Sequence, residues 1–329
     1  MSNKIFVSIV IPTFNRSHYL VKILDILKRN LINFRNFEVI ICDSYSKDST
    51  GLKIKSFYKQ NKILNIKYVN TTKNLHSIKR NLGLKLSSGK YVIFLDDDCF
   101  PEIDFVKEYY SILSNERANN QIFCGSVKYF KNINRNNFIK YRQSRHFSFE
   151  KKNYVSKDYL DAARIVTMNM GFRRNFQISK AKFFNERFNF YGFEDYELGF
   201  RLLNLGYKIK ACSPAVFHND IRKFSVYLEK IFFLGLESMQ YLININYPAA
   251  KKNNFYKLED SFFIKFFIRF NFFRLLMVFL RKLSIFSDRH LVYLPFIYKI
   301  GIGSSYLLGC FYKKNKHLLN DLNRKNWYK

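Results

Sequence analysis

Along the first hundred residues, hydrophobic positions fall into short unbroken runs separated by stretches with helical spacing. Phe6 to Ile11, Phe37 to Cys42, Ile63 to Val69 and Tyr91 to Leu95 have strand-forming character. A continuous apolar run, rather than an alternating one, marks a strand covered on both faces, as in a parallel sheet. Between these runs, Leu20, Ile23, Leu24 and Leu27 repeat at helical spacing. Ser46-Lys47-Asp48-Ser49-Thr50 offers side chains that cap a helix, and Leu75 to Leu86 reads as a helix ended by Ser88-Gly89. Strands alternating with helices predict an α/β fold with a doubly wound, mostly parallel sheet and helices on both faces. Ile122 to Phe130 and Arg164 to Phe172 return to strand character. Lys131 to Asp158, basic and aromatic with weak periodicity, reads as a long loop with short helices.

After Asp220 the pattern changes. Phe224 to Leu242 predicts a helix, and Ser261 to Lys282 is dense in Phe, Ile and Leu with interspersed bases. Read as one helix, that stretch puts Lys265 and Arg269 on a shared face and Arg274 roughly opposite, so no clean amphipathic stripe results. Leu291 to Tyr312 is apolar over a length that suits a bilayer, but Pro295 and Lys299 interrupt it. Three readings stay open: a helical subdomain packed on the first domain, a peripheral contact with an anionic membrane, and a true span. The expected division is a domain over residues 1–220 and a basic, aromatic-rich helical extension over 221–329.

Charge changes this picture less than its size suggests. The formal net charge of +31 is spread along the chain, with 37 Lys and Arg against 19 Asp and Glu up to Asp220, and 19 against 6 after it. Without a localised basic arm, nucleic acid is not the expected partner. The five cysteines are dispersed and form no CxxC, which argues against a disulfide framework or zinc knuckle and for a reducing compartment. Pro12 and Asn15 break the first apolar stretch, so residues 1–15 do not read as a signal peptide and the start reads as cytoplasmic.

Two acidic stretches carry candidate chemistry. The run Tyr91 to Leu95 leads straight into Asp96-Asp97-Asp98, at a strand's carboxyl end, where open α/β sheets bind ligands. Three adjacent carboxylates repel one another unless a cation or hydrogen-bond donors neutralise them, and hard oxygen ligands suit Mg²⁺ or Mn²⁺. A solvated acidic turn is the alternative. The second stretch is Glu194-Asp195-Tyr196-Glu197, opening a helix through Leu198, Leu202 and Leu205 that Gly206 stops; Glu197 and Arg201 are spaced to pair. Acids in a first turn are favoured by the helix dipole, so plain capping competes with a role as proton acceptor. No G-x-G-x-x-G and no Gly-rich phosphate loop follows the first strand, where Pro12-Thr13-Phe14-Asn15 stands instead. That disfavours dinucleotide-dependent dehydrogenases, P-loop enzymes and nucleotidyltransferases.

Residues 5–220 resemble the family 2 glycosyltransferases, inverting enzymes with the GT-A fold. The likeness rests on Val7 to Arg16, Val39 to Thr50, Arg80-Asn81-Leu82-Gly83, Phe94 to Asp98 with its Asp-x-Asp motif, and Gly192 to Leu202. Ser44-Tyr45 departs from the family's frequent Asp-Gly. The resemblance implies a Rossmann-like, nucleotide-diphospho-sugar transferase fold and a Mg²⁺ or Mn²⁺ cofactor. It implies donor contacts from Pro12, Thr13, Asn15, Asp43, Arg80, Asp96 and Asp97, with Asp96 on ribose or metal, and metal ligation by Asp98 with a later histidine; His218 is the candidate, a hydrogen-bonded structural role being the alternative. Asp195 would be the general base, with Glu194 beside it binding a sugar, and Asn169 and Arg173 are weaker carry-overs for the sugar or diphosphate. His18, His76 and His146 receive no role. The implied reaction moves a sugar from a nucleotide-diphosphate donor, of UDP type, to a hydroxyl of a glycan or lipid-linked acceptor in bacterial-type surface polysaccharide synthesis. Such work suits the inner face of a plasma membrane. The rival readings are a binding or scaffold protein that kept the fold and lost the chemistry, and a nucleotidyltransferase.

Overall fold

Val7–Thr13 forms β1, which is buried along its whole length, as are β2 (Phe37–Asp43) and β4 (Tyr91–Leu95). Between them come α1 (Ser17–Asn30), α2 (Thr50–Gln60), β3 (Asn65–Asn70) and α3 (His76–Leu86). The computed structural model describes residues 5–115, 118–130, 137–145, 159–174, 183–189, 191–219, 222–290 and 292–321. Two compact units emerge. One is built from Met1–Phe130, Arg145–Glu186 and Leu198–Asp220, the other from Lys131–Ser144, Arg187–Glu197 and Ile221–Lys329.

The first unit continues with β5 (Cys99–Pro101), α4 (Phe105–Ser114) and β6 (Gln121–Lys128); α5 (Asn137–Arg145) lies almost wholly in the second unit, before β7 (Asn169–Arg173). Helix α6 (Glu194–Asn204) starts in the second unit's segment and runs into the first, which ends with β8 (Lys208–His218). The eight strands form one sheet in the order β3-β2-β1-β4-β7-β6-β8-β5. Strands β1 to β4 are mutually parallel, β6 is parallel to β8, β7 runs antiparallel between β4 and β6, and β5 runs antiparallel to β8. This is the α/β, mostly parallel sheet that the alternation predicts.

Helices cover both faces. On one, α3 approaches so closely that a Cβ on Gly83 would sit 2.2 Å from a Val10 methyl and 3.2 Å from Cys42 sulfur, so only glycine fits there. On the other, the Tyr109 ring of α4 lies against Gly171 of β7. Within the sheet, Glu38 is fully buried yet bonded on all sides: Ser8 hydroxyl donates at 2.7 Å, Ser88 N–H at 2.6 Å, and Lys67 pairs at 2.7 Å. Burial pushes its carboxyl pKa up, but these donors together outweigh burial and hold it below the ordinary value.

Some expectations are corrected. The strand read over Arg164 to Phe172 begins only at Asn169. Asp161 instead accepts a bond from Ala163 N–H at 3.0 Å and caps a 3₁₀ turn over Ala162–Arg164, a local side-chain bond overriding strand propensity. Strand β5 has no predictable pattern of its own, being three residues long and held by pairing to β8. Of the loop expected over Lys131 to Asp158, residues 137–145 are helix α5; residues 131–136 and 146–158, His146 among them, lie outside the described residues.

The second unit is helical. A helix runs from α7 (Phe224–Phe233) through a π-turn at Leu234–Ser238 into α8 (Met239–Ile245), as the expected helix over Phe224 to Leu242 requires. Then follow α9 (Tyr247–Lys252), α10 (Asn254–Asp260), α11 (Phe262–Phe267), α12 (Asn271–His290) and α13 (Pro295–Lys314). Phe138 and Tyr141 of α5 join Phe224, Leu228 and Tyr298 in an aromatic core. Glu259 pins α13, accepting from Tyr306 hydroxyl at 2.7 Å and pairing with Lys313 at 3.3 Å. Among the described residues no helix is long and apolar enough to cross a membrane. The stretch from Ser261 to Lys282 is two helices with a break at Ile268–Phe270, so the phase relation expected for one continuous helix does not hold.

Candidate active site

The acidic triplet forms a tight turn between β4 and β5. Asp96 N–H donates to Met168 carbonyl at 3.1 Å, Cys99 N–H to Asp96 carbonyl at 3.1 Å, and Cys99 then pairs with His218 across β5 and β8. This turn sends the three carboxylates to three different partners.

Asp96 pairs with Arg80 of α3 at 2.7 Å, and the guanidinium, only 3% exposed, also lies over the Phe184 ring. Asp97 turns inward and accepts a 2.7 Å bond from Thr13 hydroxyl at the end of β1. Burial first, and then the Asp98 charge beside it, push the Asp97 pKa up to about 7. Asp98 faces β8, its Oδ1 3.5 Å from His218 Nε2, and Asn219 N–H bonds its carbonyl at 2.9 Å.

Ligand atoms of Asp98, Cys99 and His218 all lie within 4.8 Å of one another. The donor set fits a divalent cation. A carboxylate oxygen and an imidazole nitrogen suit Mn²⁺ well, whereas Mg²⁺ prefers oxygen throughout. Cys99 sulfur is fully buried and is a soft donor, poorly matched to Mg²⁺ or Mn²⁺, which favour oxygen and imidazole ligands. The fit therefore rests on Asp98 and His218.

The rim at the ends of β1 and β2 is a second organised patch. Pro12 pairs with Cys42 and Thr13 with Asp43 in the parallel register. Asp43 is buried and spends its carboxylate on the following turn, accepting from Ser44 N–H at 2.7 Å, Ser46 hydroxyl at 2.6 Å and Tyr68 hydroxyl at 2.5 Å. Asn15, in the left-handed region at φ 54°, closes the rim by accepting from Lys47 N–H at 2.7 Å. Tyr45 also takes a left-handed φ of 53°, so the turn keeps a glycine-favouring conformation where the family often has Asp-Gly, with a strained tyrosine in place.

Lys79, passed over in the sequence, sits among these carboxylates, donating to Thr13 carbonyl at 3.0 Å and Asn74 side chain at 2.8 Å. Burial lowers its pKa to about 8 despite the pull of Asp97 and Asp43. Lys79 shares the buried face of α3 with Ser77, Arg80, Gly83 and Leu84. Asn169 and Arg173 have partners of their own. Asn169 is a fully buried brace, accepting from Tyr109 hydroxyl at 2.7 Å and donating to Ser126 and Pro214 carbonyls at 3.0 Å each. Arg173 pairs with Tyr91, at the opposite end of β4 from the triplet, because β7 runs antiparallel; it bonds Asn119 there.

Glu194, Asp195 and Glu197 occupy the first turn of α6, preceded by two left-handed residues, Gly192 at φ 94° and Phe193 at φ 66°. Glu197 N–H donates to Phe193 carbonyl at 2.8 Å to start the helix, and Asn246 bonds its carboxylate at 3.4 Å. A Cβ on Gly192 would meet a Leu234 methyl at 2.3 Å, so glycine is needed there for space as well as for φ. A non-glycine residue held left-handed costs about 1–2 kcal/mol, and such strain concentrates at functional turns. Glu194 and Asp195 are partly buried.

This sheet, with its acidic turn beside a histidine, agrees with the GT-A fold that the resemblance implies. Residues 8–178, about half of the chain, match the model of glycosyl transferase family 2. The chain belongs to that family. Chondroitin synthase of Pasteurella multocida (strain Pm70) is 30% identical over 238 residues, 63% of this chain but 24% of that protein. The poly(ribitol-phosphate) beta-N-acetylglucosaminyltransferase TarS of Staphylococcus aureus (strain Mu50) is 29% identical over 101 residues, 31% of this chain and 18% of its own length. The chain thus spans about a quarter of the first relative and less of the second. Among solved structures, the mannosyltransferase PcManGT of Pyrobaculum calidifontis, in complex with GDP-Man and Mn²⁺, aligns over 98% of this chain and 89% of its own, with a TM-score of 0.59 and 14% identity. At that identity the likeness is one of fold.

Proposed function

We propose that this chain is a metal-dependent, inverting glycosyltransferase that moves a sugar from a nucleoside-diphosphate donor to an acceptor hydroxyl in polysaccharide synthesis. The single observation that carries the reading is the division of the triplet, with Asp96 on Arg80, Asp97 on Thr13 and Asp98 beside His218. Of the three carboxylates only Asp98 is thereby directed at a potential cation ligand partner, and its charge, which helps push the Asp97 pKa up, is the one a cation would relieve. The catalytic domain is residues 1–220.

In this reading Asp98 and His218 hold Mg²⁺ or Mn²⁺, which when bound neutralises charge on the departing diphosphate. Pro12, Thr13, Asn15 and Asp43 border the nucleotide base, and the ordered turn after Asp43 supports that part. Arg80, Asp96 and Asp97 hold the donor's ribose and diphosphate side in place. Asp195 takes the proton of the acceptor hydroxyl as its oxygen attacks C1 of the sugar. The new glycosidic bond forms, the C1–oxygen bond to the diphosphate breaks, and the nucleoside diphosphate leaves with its electron pair. Glu194 binds the acceptor or donor sugar. Lying in the first turn of α6 favours an ionised Asp195, and the strained Phe193 before it supports a built site.

The donor in this reading is a UDP-sugar. The S. aureus TarS fragment 1–349 has been solved with UDP-GlcNAc, while PcManGT was solved with GDP-Man, so the base is an outcome of the test. The acceptor in this reading is a glycan or lipid-linked glycan. Hydrolysis of a panel of UDP-, GDP- and ADP-sugars with Mn²⁺, Mg²⁺ or chelator tests it. Release of nucleoside diphosphate from one donor class, abolished by chelator, is the expected result; no turnover of any donor with metal present would instead favour a binding protein on this fold.

A further inference from the structure

Helix α12 carries an apolar stripe that faces solvent. Phe272, Leu275, Leu276, Phe279, Leu283 and Phe286 are all exposed, Phe279 at 60% and Phe286 at 56%. At 100° per residue these six fall within an arc of about 100°, beside the arc of Phe273, Met277, Ser284 and Ser287 that is buried within the unit. The helix thus has two apolar faces, one packed and one bare. Next to it, α11 exposes Phe262, Phe263, Phe266 and Phe267, and the break after it exposes Phe270, with Phe262 at 78%. Ring contacts join the two helices into one patch, Phe266 to Phe270 at 5.4 Å and Phe267 to Phe272 at 6.0 Å. With about half of each large side chain exposed, the patch is on the order of 1,000 Å², beyond the few hundred that soluble monomers usually carry.

Charge identifies the occupant. Residues 262–300 hold seven Lys and Arg, of which Lys265 pairs with Asp260 at 2.6 Å, and one acid, Asp288, which already accepts a bond from Tyr298 hydroxyl at 2.7 Å. Exposed Lys282 and Arg289 border the α12 stripe, and exposed Arg269 lies between the two helices. A second copy of the chain docking on this patch would bring like charges together with no free acid to relieve them. A layer of anionic headgroups complements them while acyl chains receive the phenyl rings.

We propose that α11 and α12 form an in-plane membrane-docking surface, lying in the headgroup region of an anionic bilayer with the Phe and Leu stripe toward the acyl chains. Bases at positions 274, 281, 282 and 289 make α12 unsuited to span, although its 20 residues are long enough. Lying flat, the long Lys and Arg side chains reach phosphates while the rings enter the interface. The inference depends on this surface alone and not on the transferase chemistry.

Flotation of the full chain with vesicles of phosphatidylcholine, alone or mixed with phosphatidylglycerol, tests it. The wild-type chain floats with the mixed vesicles, less so as salt rises, and far less with phosphatidylcholine alone. The double variant Phe279→Ser/Phe286→Ser loses about tenfold or more in partitioning, and Lys282→Glu/Arg289→Glu loses the preference for the anionic lipid. Because these side chains are exposed, thermal unfolding and donor hydrolysis in solution stay at wild-type level in both variants, which separates this test from that of the transferase reading. Equal flotation with and without anionic lipid would overturn the proposal, as would no flotation at all. A lipid-free dimer by light scattering that the serine variant dissociates would overturn it in favour of a second copy.

Discussion

Asp98 Oδ1 stands 3.5 Å from His218 Nε2, held there by the pairing of Cys99 with His218 across β5 and β8. A three-residue strand is what brings the last acid of the triplet to a histidine at the far end of the first unit's chain. If the pair holds a cation, Asp98→Asn keeps the fold and weakens Mn²⁺ binding by about 100-fold or more, since a neutral amide replaces a charged ligand. Isothermal titration with Mn²⁺ measures it; an unchanged titration would remove Asp98 from the ligand set.

Asp195→Asn keeps size and the first-turn position but cannot take a proton. Transfer falls by about 10²–10⁴-fold, the usual worth of a general base, while donor affinity is retained. Turnover of labelled donor, alongside a thermal melt matching wild type, checks this. Near-normal turnover would assign the proton to another group.

Tyr45 is 62% exposed and left-handed, so Tyr45→Gly removes steric strain of about 1–2 kcal/mol and adds about 0.5–1 kcal/mol of unfolded-state entropy. The variant is expected to be as stable as the parent or up to about 1 kcal/mol more so. Denaturant unfolding reads it. A loss exceeding about 1 kcal/mol would mean the ring itself holds the turn.

Glu38→Gln removes the charge that Ser8, Ser88 and Lys67 satisfy, and costs about 1–3 kcal/mol at neutral pH. Lys67 is 40% exposed, so its share is the smaller. The carboxyl pKa in the folded protein lies below the ordinary 4.5, so its stabilisation is present above that value and lost as pH falls through the folded one. The gap between wild type and variant therefore narrows on acidification below about pH 4.5. Urea midpoints across pH test it, and a pH-independent gap would show that packing rather than charge is lost.

Substituting Lys79 with Met separates two contributions. Its folded pKa of about 8 lies below the ordinary 10.5, so wild-type stability rises with pH between those values as the buried amine sheds its proton. The methionine variant loses that rise. Calorimetric melts between pH 8 and 10.5 decide it, and the same slope in both proteins would contradict the burial argument.

The α/β class, strands β1, β2 and β4, the helix over Phe224 to Leu242 and the acidic first turn of α6 were all readable in the chain. Each depends on local periodicity or on side chains acting within one turn, which are properties of consecutive residues. The triplet was legible as a group, but its three-way division was not, because Arg80, Thr13 and His218 reach it only through sheet order. The surroundings of Asn169 and Arg173 were hidden for the same reason: because β7 runs antiparallel, Asn169 lies opposite Leu95 beside the triplet, with its side chain bonded to Tyr109, Ser126 and Pro214, while Arg173 falls at the far end opposite Tyr91. In the tail, composition gave a basic, aromatic segment, but the break at Ile268–Phe270 reset the helical phase and left six side chains of α12 on one bare face. Local spacing determines which elements form, whereas pairing and packing between distant segments decide which side chains meet and which stay open to solvent.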